Sequence, residues 1–302
     1  MHAWESIQKV VDYIDDNIGD DIQLKELAEI AHLSLFYFHR LFTRLVKKPV
    51  REYIKLRRLA LACEGLKNKE KRILDIALEC GFGGNEVFTK AFKEAYGILP
   101  SDYRNDPRPL RNFNKPNLLL SYVMADEGVP LISDGVVIEL NRRRLGEPID
   151  FFGFTGLCAK GKAPLGQATG IDEPGEIWKK FRREICKINR YPDGRNLAVS
   201  FKGDAPKSCF YYFVGTEVDA GVVDINFNTW RLPAQEYVVC GFEAETFGEL
   251  VNNVIYKAIN YSYSWVEKQS IKTDKFTVEF YYESKLDGAY MELWIPISTQ
   301  EI

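Results

Sequence analysis

Three stretches of this sequence set acids among aromatic rings: Phe210–Glu217 (FYYFVGTE), Phe276–Glu283 (FTVEFYYE) and Tyr290–Ile297 (YMELWIPI). Strand alternation puts Glu279 and Tyr281 on one face, and likewise Glu292 and Trp294. A carboxylate among rings can hold a bulky organic cation by charge pairing and cation–π contact. Glu279 is flanked by Val278 and Phe280, and its strand pair holds no Lys, Arg or His beyond Lys275 at the edge and Lys285 at the turn. A buried carboxylate so placed must be paired, protonated or waiting for a cation. The candidate ligand set is Glu279, Tyr281, Glu292 and Trp294, with Tyr212 from the first stretch and Trp178 from an intervening helix.

A second chemistry lies in the first third of the chain. Between 40 and 58 stand eight basic residues (Arg40, Arg44, Lys47, Lys48, Arg51, Lys55, Arg57, Arg58) and one acid, Glu52. Residues 1–112 carry 19 Lys and Arg against 17 Asp and Glu, and the remainder 21 against 26, for a net charge of −3. The whole chain is therefore no basic nucleic-acid coat; the positive charge is local.

Other chemistries find little to build on. The cysteines (63, 80, 158, 186, 209, 240) form no CxxC pair, so they read as reduced, mostly buried thiols. The only histidines are His2, His32 and His39, too clustered at one end to serve a zinc site or a nucleophile–histidine pair elsewhere. The Gly161–Gly170 stretch lacks both GxGxxG and a P-loop lysine. No metal, no cofactor and no enzymatic activity is expected. The N-terminus lacks a signal peptide's apolar core, and no apolar run reaches membrane-spanning length, so a cytoplasmic protein with no membrane partner is expected.

The elements that must position these residues fall into two textures. The first hundred residues are helical: Trp4, Ile7, Val10, Val11 and Ile14 recur at helical spacing, and Leu24, Leu27, Ala28 and Ala31 mark a second helix. Ser34 caps a third, and further helices follow over 49–67, 73–80 and 85–96. The pattern repeats. Leu24, Leu27, Ala28, Ala31 and Leu33 match Ile73, Ile76, Ala77, Cys80 and Phe82 at an offset of 49; Phe38, Arg40, Phe42 and Tyr53 match Phe88, Lys90, Phe92 and Tyr103 at an offset of 50. Each copy is a short helix, a tight turn and an amphipathic helix, so the N-terminal domain (1–104) is all-α with two helix-turn-helix motifs.

In such a motif the second helix enters the major groove of double-stranded DNA. Its outward residues are Phe36, Tyr37, His39, Arg40, Thr43 and Arg44 in the first copy, and Asn85, Glu86, Thr89, Lys90 and Lys93 in the second. The basic run 47–58 suits backbone phosphates, which add affinity without reading sequence. Residues 105–117, rich in Pro, Asn and charge, read as a linker between loosely joined domains, so a ligand would change DNA affinity little.

Beyond it, 118–302 is β-rich. Strands are predicted over 118–124, 136–143, 150–157, 196–202, 209–217, 225–232, 236–244, 276–283 and 290–297, with helices over 174–188 and 247–267. The order gives an α+β domain of two strand-helix-strand-strand modules side by side.

The first half resembles the DNA-binding domain of AraC-type transcription regulators, most clearly through Ile76-Ala77, Gly81-Phe82, Phe88, Phe92-Lys93, Gly97, Pro100 and Tyr103-Arg104. The resemblance covers roughly 4–104 and implies two recognition helices in successive major grooves, with Phe36, His39 and Arg40, then Asn85, Glu86 and Lys90, at the DNA. Gly83-Gly84 and Glu86 depart from the usual pattern; Glu86 can accept from cytosine N4. Residues about 135–298 resemble a GyrI-like effector-binding domain. This second resemblance rests on LPAQEYVVCGFEAE (232–245), the helix ending at Tyr263–Trp265, and the VEFY and MELWIPI strands. It implies a ligand cleft between two pseudo-symmetric modules, with a late-strand glutamate: Glu279, or second Glu292. Together these imply a DNA-binding regulator sensing a small organic effector, with RNA polymerase as a further candidate partner. The alternative keeps DNA binding and makes the second domain a hydrolase.

Overall fold

The computed structural model describes residues 2–133, 135–161, 166–188, 191, 194–219, 226–282 and 289–298. The chain divides into two compact units: Met1–Val123 with Ala163–Ile171, and Met124–Lys162 with Asp172–Ile302.

The first unit is built on helices α1 (Ala3–Asp16), α2 (Leu24–Ile30), α3 (Leu35–Val46), α4 (Val50–Leu66), α5 (Ile73–Glu79), α6 (Asn85–Tyr96) and α7 (Pro100–Asn105). The sequence repeat reappears as a repeat of hydrogen bonds. Leu33 N donates to Ala28 O at 2.9 Å, and Phe82 N to Ala77 O at 2.9 Å. The turn between α2 and α3 passes through His32 (φ 56°), and that between α5 and α6 through Gly81 (φ 75°). Ser34 Oγ accepts from Tyr37 N at the start of α3, where Gly84 has no side chain to offer α6. Each copy packs a ring ladder into the core: Phe38, Phe42 and Tyr53 at 5.7 and 5.6 Å, and Phe88, Phe92 and Tyr103 at 5.6 and 5.9 Å. From α1, Ile7, Val10, Val11 and Ile14 are wholly buried.

Residues 105–117 are not a loose linker. Phe113 is fully buried, its ring 5.7 Å from Tyr53, and its carbonyl accepts from Arg57 Nη1 at 2.7 Å. Tyr96 Oη donates to Asn112 Oδ1, and β1 (Leu110–Arg111) pairs with β5 (Gly170–Ile171), a segment that returns to this unit. The polar composition of the stretch hides its few apolar anchors. Nor is 118–124 a strand: Leu118–Tyr122 is a helical turn, α8, packed on α1. Asn117 Oδ1 caps it by accepting from Leu120 N, and Gln8 Oε1 accepts from Leu118 N. A short apolar run fits either a strand or a buried helical turn, and the capping decides.

The second unit carries β2 (Leu131–Ser133), β3 (Val136–Arg144), β4 (Ile149–Ala159), α9 (Glu173–Glu184), β6 (Asn196–Phe201), β7 (Cys209–Glu217), β8 (Asn228–Leu232) and β9 (Glu236–Ala244). Then come α10 (Phe247–Glu249), a π turn (Leu250–Val254), α11 (Ile255–Lys268), β10 (Phe276–Tyr281) and β11 (Ala289–Pro296). The strands form one antiparallel sheet in the order β2-β3-β9-β11-β10-β6-β7-β4-β8. The two expected modules are both present, as β4-β7-β6 under α9 and β9-β11-β10 under α11, joined where β6 pairs β10. Each module's leading strand crosses to the other: β3 pairs β9, and β8 pairs β4.

This exchange requires a curved sheet. Residues 145–148 join β3 to β4 across six strand spacings. A flat sheet would separate those strands by about 29 Å, but the link spans at most about 18 Å. Rings meet across the concave face: Phe151 and Phe280, three strands apart, have centroids 6.2 Å apart. Both helices cover the opposite face, where α9 sits so close that a Cβ on Gly156 would lie 2.5 Å from Ile177 Cδ1.

Candidate functional site

On the helical unit, α3 and α6 present most of the polar faces read from the sequence. Phe36, Tyr37, Arg40, Thr43, Arg44, Asn85, Glu86, Lys90 and Lys93 are exposed, and His39 and Thr89 half-buried. The Arg40 guanidinium lies over the Phe36 ring at 5.7 Å. Val87, 61% exposed, shares the α6 face; the repeat aligns it with Tyr37, a signal the polar-face criterion passed over.

The basic run behaves differently from expectation. Arg57 is a core residue, donating to both oxygens of Asp15 at 2.6–3.2 Å and to the Phe113 carbonyl. Arg58 donates to the carbonyls of Ile18, Gly81 and Asp20 at 2.9, 2.7 and 2.6 Å. Both are consumed in holding α4 against α1 and the second turn, so they are not phosphate contacts. Lys55 pairs with Glu52. Arg40, Arg44, Lys47 and Arg51 make no ion pair among the described residues.

In the second unit the six candidate ligand residues separate onto two faces of the sheet. Val278 faces Trp294 and Phe280 faces Glu292 across β10 and β11, which puts Glu292 and Trp294 on the concave face. Glu279 alternates away from them toward the helices, with Tyr281, Tyr212 and Trp178. Trp294 therefore does not flank Glu279.

Glu292 is saturated. It accepts from Trp294 Nε1, Tyr282 Oη and Tyr290 Oη, each at 2.8 Å, and from Arg143 Nη1 at 3.0 and 3.1 Å. Burial pushes its carboxyl up, but the three hydrogen bonds and the Arg143 charge outweigh it and hold the group below its ordinary value. The cation comes from β3, not from Glu292's own strand pair. Glu292 thus reads as a structural anchor tying β3, β10 and β11.

Glu279 is the opposite case. It is 7% exposed. Its Oε2 takes both donors, Tyr212 Oη at 2.5 Å and Tyr281 Oη at 2.8 Å, while Oε1 accepts from no described residue. Burial raises its carboxyl above the ordinary range, the two tyrosines pull it down, and the Asp172 charge adds to the rise. Trp178 of α9 closes one side, its ring 4.5 Å from Tyr281 and its Nε1 3.4 Å from Tyr212 Oη. Phe247 of α10 approaches Tyr281 at 6.4 Å from the other module. Phe247 and Asp172 lie outside the strand pattern that flagged the others. Glu279 is thus a buried acid beside three rings, with no cationic partner among the described residues. Lys285 lies outside the described residues.

Comparison with known proteins places both halves. A helix-turn-helix domain model matches residues 27–106, and a model described as integron-associated effector binding protein matches 152–297. The HTH-type transcriptional regulator YbfP of Bacillus subtilis is 36% identical over 104 residues, 34% of this chain and 35% of YbfP. The regulatory protein SoxS of Salmonella typhimurium is 32% identical over 105 residues, 35% of this chain and 98% of SoxS. A solved structure of SAV2435 bound to tetraphenylphosphonium is 12% identical with a TM-score of 0.39, over 53% of this chain and 94% of that one, too distant to bear on ligand or function here. The chain belongs to the AraC-type family of helix-turn-helix transcription regulators, and its second half contains an effector-binding domain. Nothing in these comparisons supports the hydrolase reading.

Proposed function

We propose that this chain is a one-component transcription regulator that reads DNA with α3 and α6 and senses a lipophilic organic cation at Glu279, over the central strands between α9 and α11. The observation that carries the effector reading is the buried Glu279 carboxylate, hydrogen-bonded on one oxygen only and walled by Trp178, Tyr212 and Tyr281. A cation there restores the Coulomb partner that burial removed, and the rings contribute cation–π attraction. On the DNA side, support comes from two exposed amphipathic helices in matching frames and from exposed Arg40, Arg44, Lys47 and Arg51. Exposure on the groove-facing side of α3 supports a base contact for Arg40, and the other three suit phosphates.

The test follows tryptophan fluorescence during titration with trimethyl(phenethyl)ammonium and its neutral carbon isostere, neohexylbenzene. The wild type should prefer the cation, and Glu279→Gln should erase that preference while binding the neutral compound unchanged. Equal affinities of both proteins for both compounds would remove Glu279 from the site.

A further inference from the structure

One row along the sheet from Glu279, on the same helix-covered face, two polar side chains are left over. Tyr281 on β10 faces Asn196 on β6, and Asn196 faces Thr216 on β7, so the three side chains project from one face. Thr216 is wholly buried, and its hydroxyl has no hydrogen-bond partner among the described residues. The Asn196 carboxamide oxygen is likewise buried without a partner. Native interiors satisfy nearly all such atoms, and here a hydroxyl, which can donate or accept, and a carboxamide oxygen, which only accepts, stand open on adjacent strands. Among the described residues neither atom has a partner. The row holds Tyr281, whose hydroxyl is committed to Glu279, and Phe152, which has no donor.

We propose that Asn196 and Thr216 form a second polar subsite of the effector site, taking a hydroxyl or N–H of the bound molecule. The effector class is thereby narrowed from any lipophilic cation to one carrying a hydrogen-bond donor on its apolar body. Two residues along β10 and one strand across separate Glu279 from Asn196 by about 8 Å, and Thr216, one strand further, lies about 12 Å from Glu279. A para-hydroxyphenethyl skeleton places its hydroxyl at a matching distance from an ammonium nitrogen. The inference rests on Glu279 holding the cation.

The experiment compares trimethyl(phenethyl)ammonium with its para-hydroxy derivative on the full chain, by tryptophan fluorescence. The hydroxyl should tighten binding to the wild type about tenfold, the worth of one net hydrogen bond. Thr216→Val keeps the side-chain shape and should bring that ratio close to one. Asn196→Ala, at a half-buried position, should do the same. Both variants should bind the parent cation as the wild type does, which also reports that they are folded. Glu279→Gln should weaken both cations in step and keep the ratio. A ratio near one in the wild type, or a ratio that survives both Thr216→Val and Asn196→Ala, overturns the subsite and leaves Glu279 standing. If neither cation binds the wild type, the Glu279 reading and the subsite fall together.

Discussion

A carboxyl held above its ordinary range must lose its proton before it can pair with a cation, so effector binding at Glu279 should be linked to pH. Below the raised value each added cation displaces one proton, and affinity should fall about tenfold per pH unit. Above it the affinity should be flat. At an effective dielectric of about 20, a charge about 4 Å away contributes roughly 4 kcal/mol, and the ligand's own desolvation takes back part of this. A net of about 1.5–3 kcal/mol remains for the charge-assisted contact. Glu279→Gln should therefore weaken trimethyl(phenethyl)ammonium by about 10- to 150-fold on the plateau and abolish the pH slope. The same linkage has a sign for folding. Between the ordinary glutamate value and the raised one, the folded chain holds a proton that the unfolded chain has lost. Stability therefore falls as pH rises through that window, and the deficit persists above it. Glu279→Gln should then be the more stable protein at neutral pH and no better once both states are protonated. Calorimetric titration in two buffers of different ionisation enthalpy, repeated across the acid range, measures the released proton directly. A wild-type affinity independent of pH, with heats that do not depend on buffer, would refute the linkage.

Other consequences concern the helical unit and its connection to the effector domain. Asp15→Asn leaves Arg57 buried beside a neutral partner and should cost about 3–5 kcal/mol in urea unfolding; Asp15→Asn with Arg57→Met should recover part of it. Gly81→Ala should destabilise by more than 1 kcal/mol, roughly, because φ is 75° and the new Cβ would lie 2.6 Å from Arg58 Cζ. His32→Ala, at the matching turn, should cost less, since that position already carries a Cβ. Arg40→Ala should weaken binding to a specific operator by about 1–3 kcal/mol if it reads guanine, and by a smaller, sequence-independent amount if it holds a phosphate, as gel-shift titration separates. The chain passes straight from β5, paired with β1, into α9, which carries Trp178. A Gly-Ser insertion between Ile171 and Asp172 should leave DNA affinity and effector affinity individually unchanged and reduce any effect of one on the other.

The sequence by itself determined what depends on local periodicity and on residue type. The offsets of 49 and 50 specified both helix-turn-helix copies, because a ladder such as Phe38, Phe42 and Tyr53 needs those residues at those spacings wherever it is packed. Alternation likewise put Glu279 beside Tyr281, and Glu292 beside Trp294, and both pairs are hydrogen-bonded partners. Only the tertiary structure decided matters of register and long-range pairing. The β10–β11 pairing sends Glu279 and Glu292 to opposite faces, and β3, distant in sequence, delivers Arg143 to one and leaves the other without a cation among the described residues. Arg57 and Arg58 have the composition of phosphate contacts but face Asp15 and three carbonyls, since a helix's buried stripe is set by its neighbours rather than by its own charges. Residues 105–117 have the composition of a linker, yet one buried Phe113 and a two-residue β pairing fix them to the helical unit. Asn196 and Thr216, ordinary polar residues in their strands, are left without partners among the described residues only when β6 and β7 lie side by side beneath α9, because burial and pairing are properties of the packed sheet.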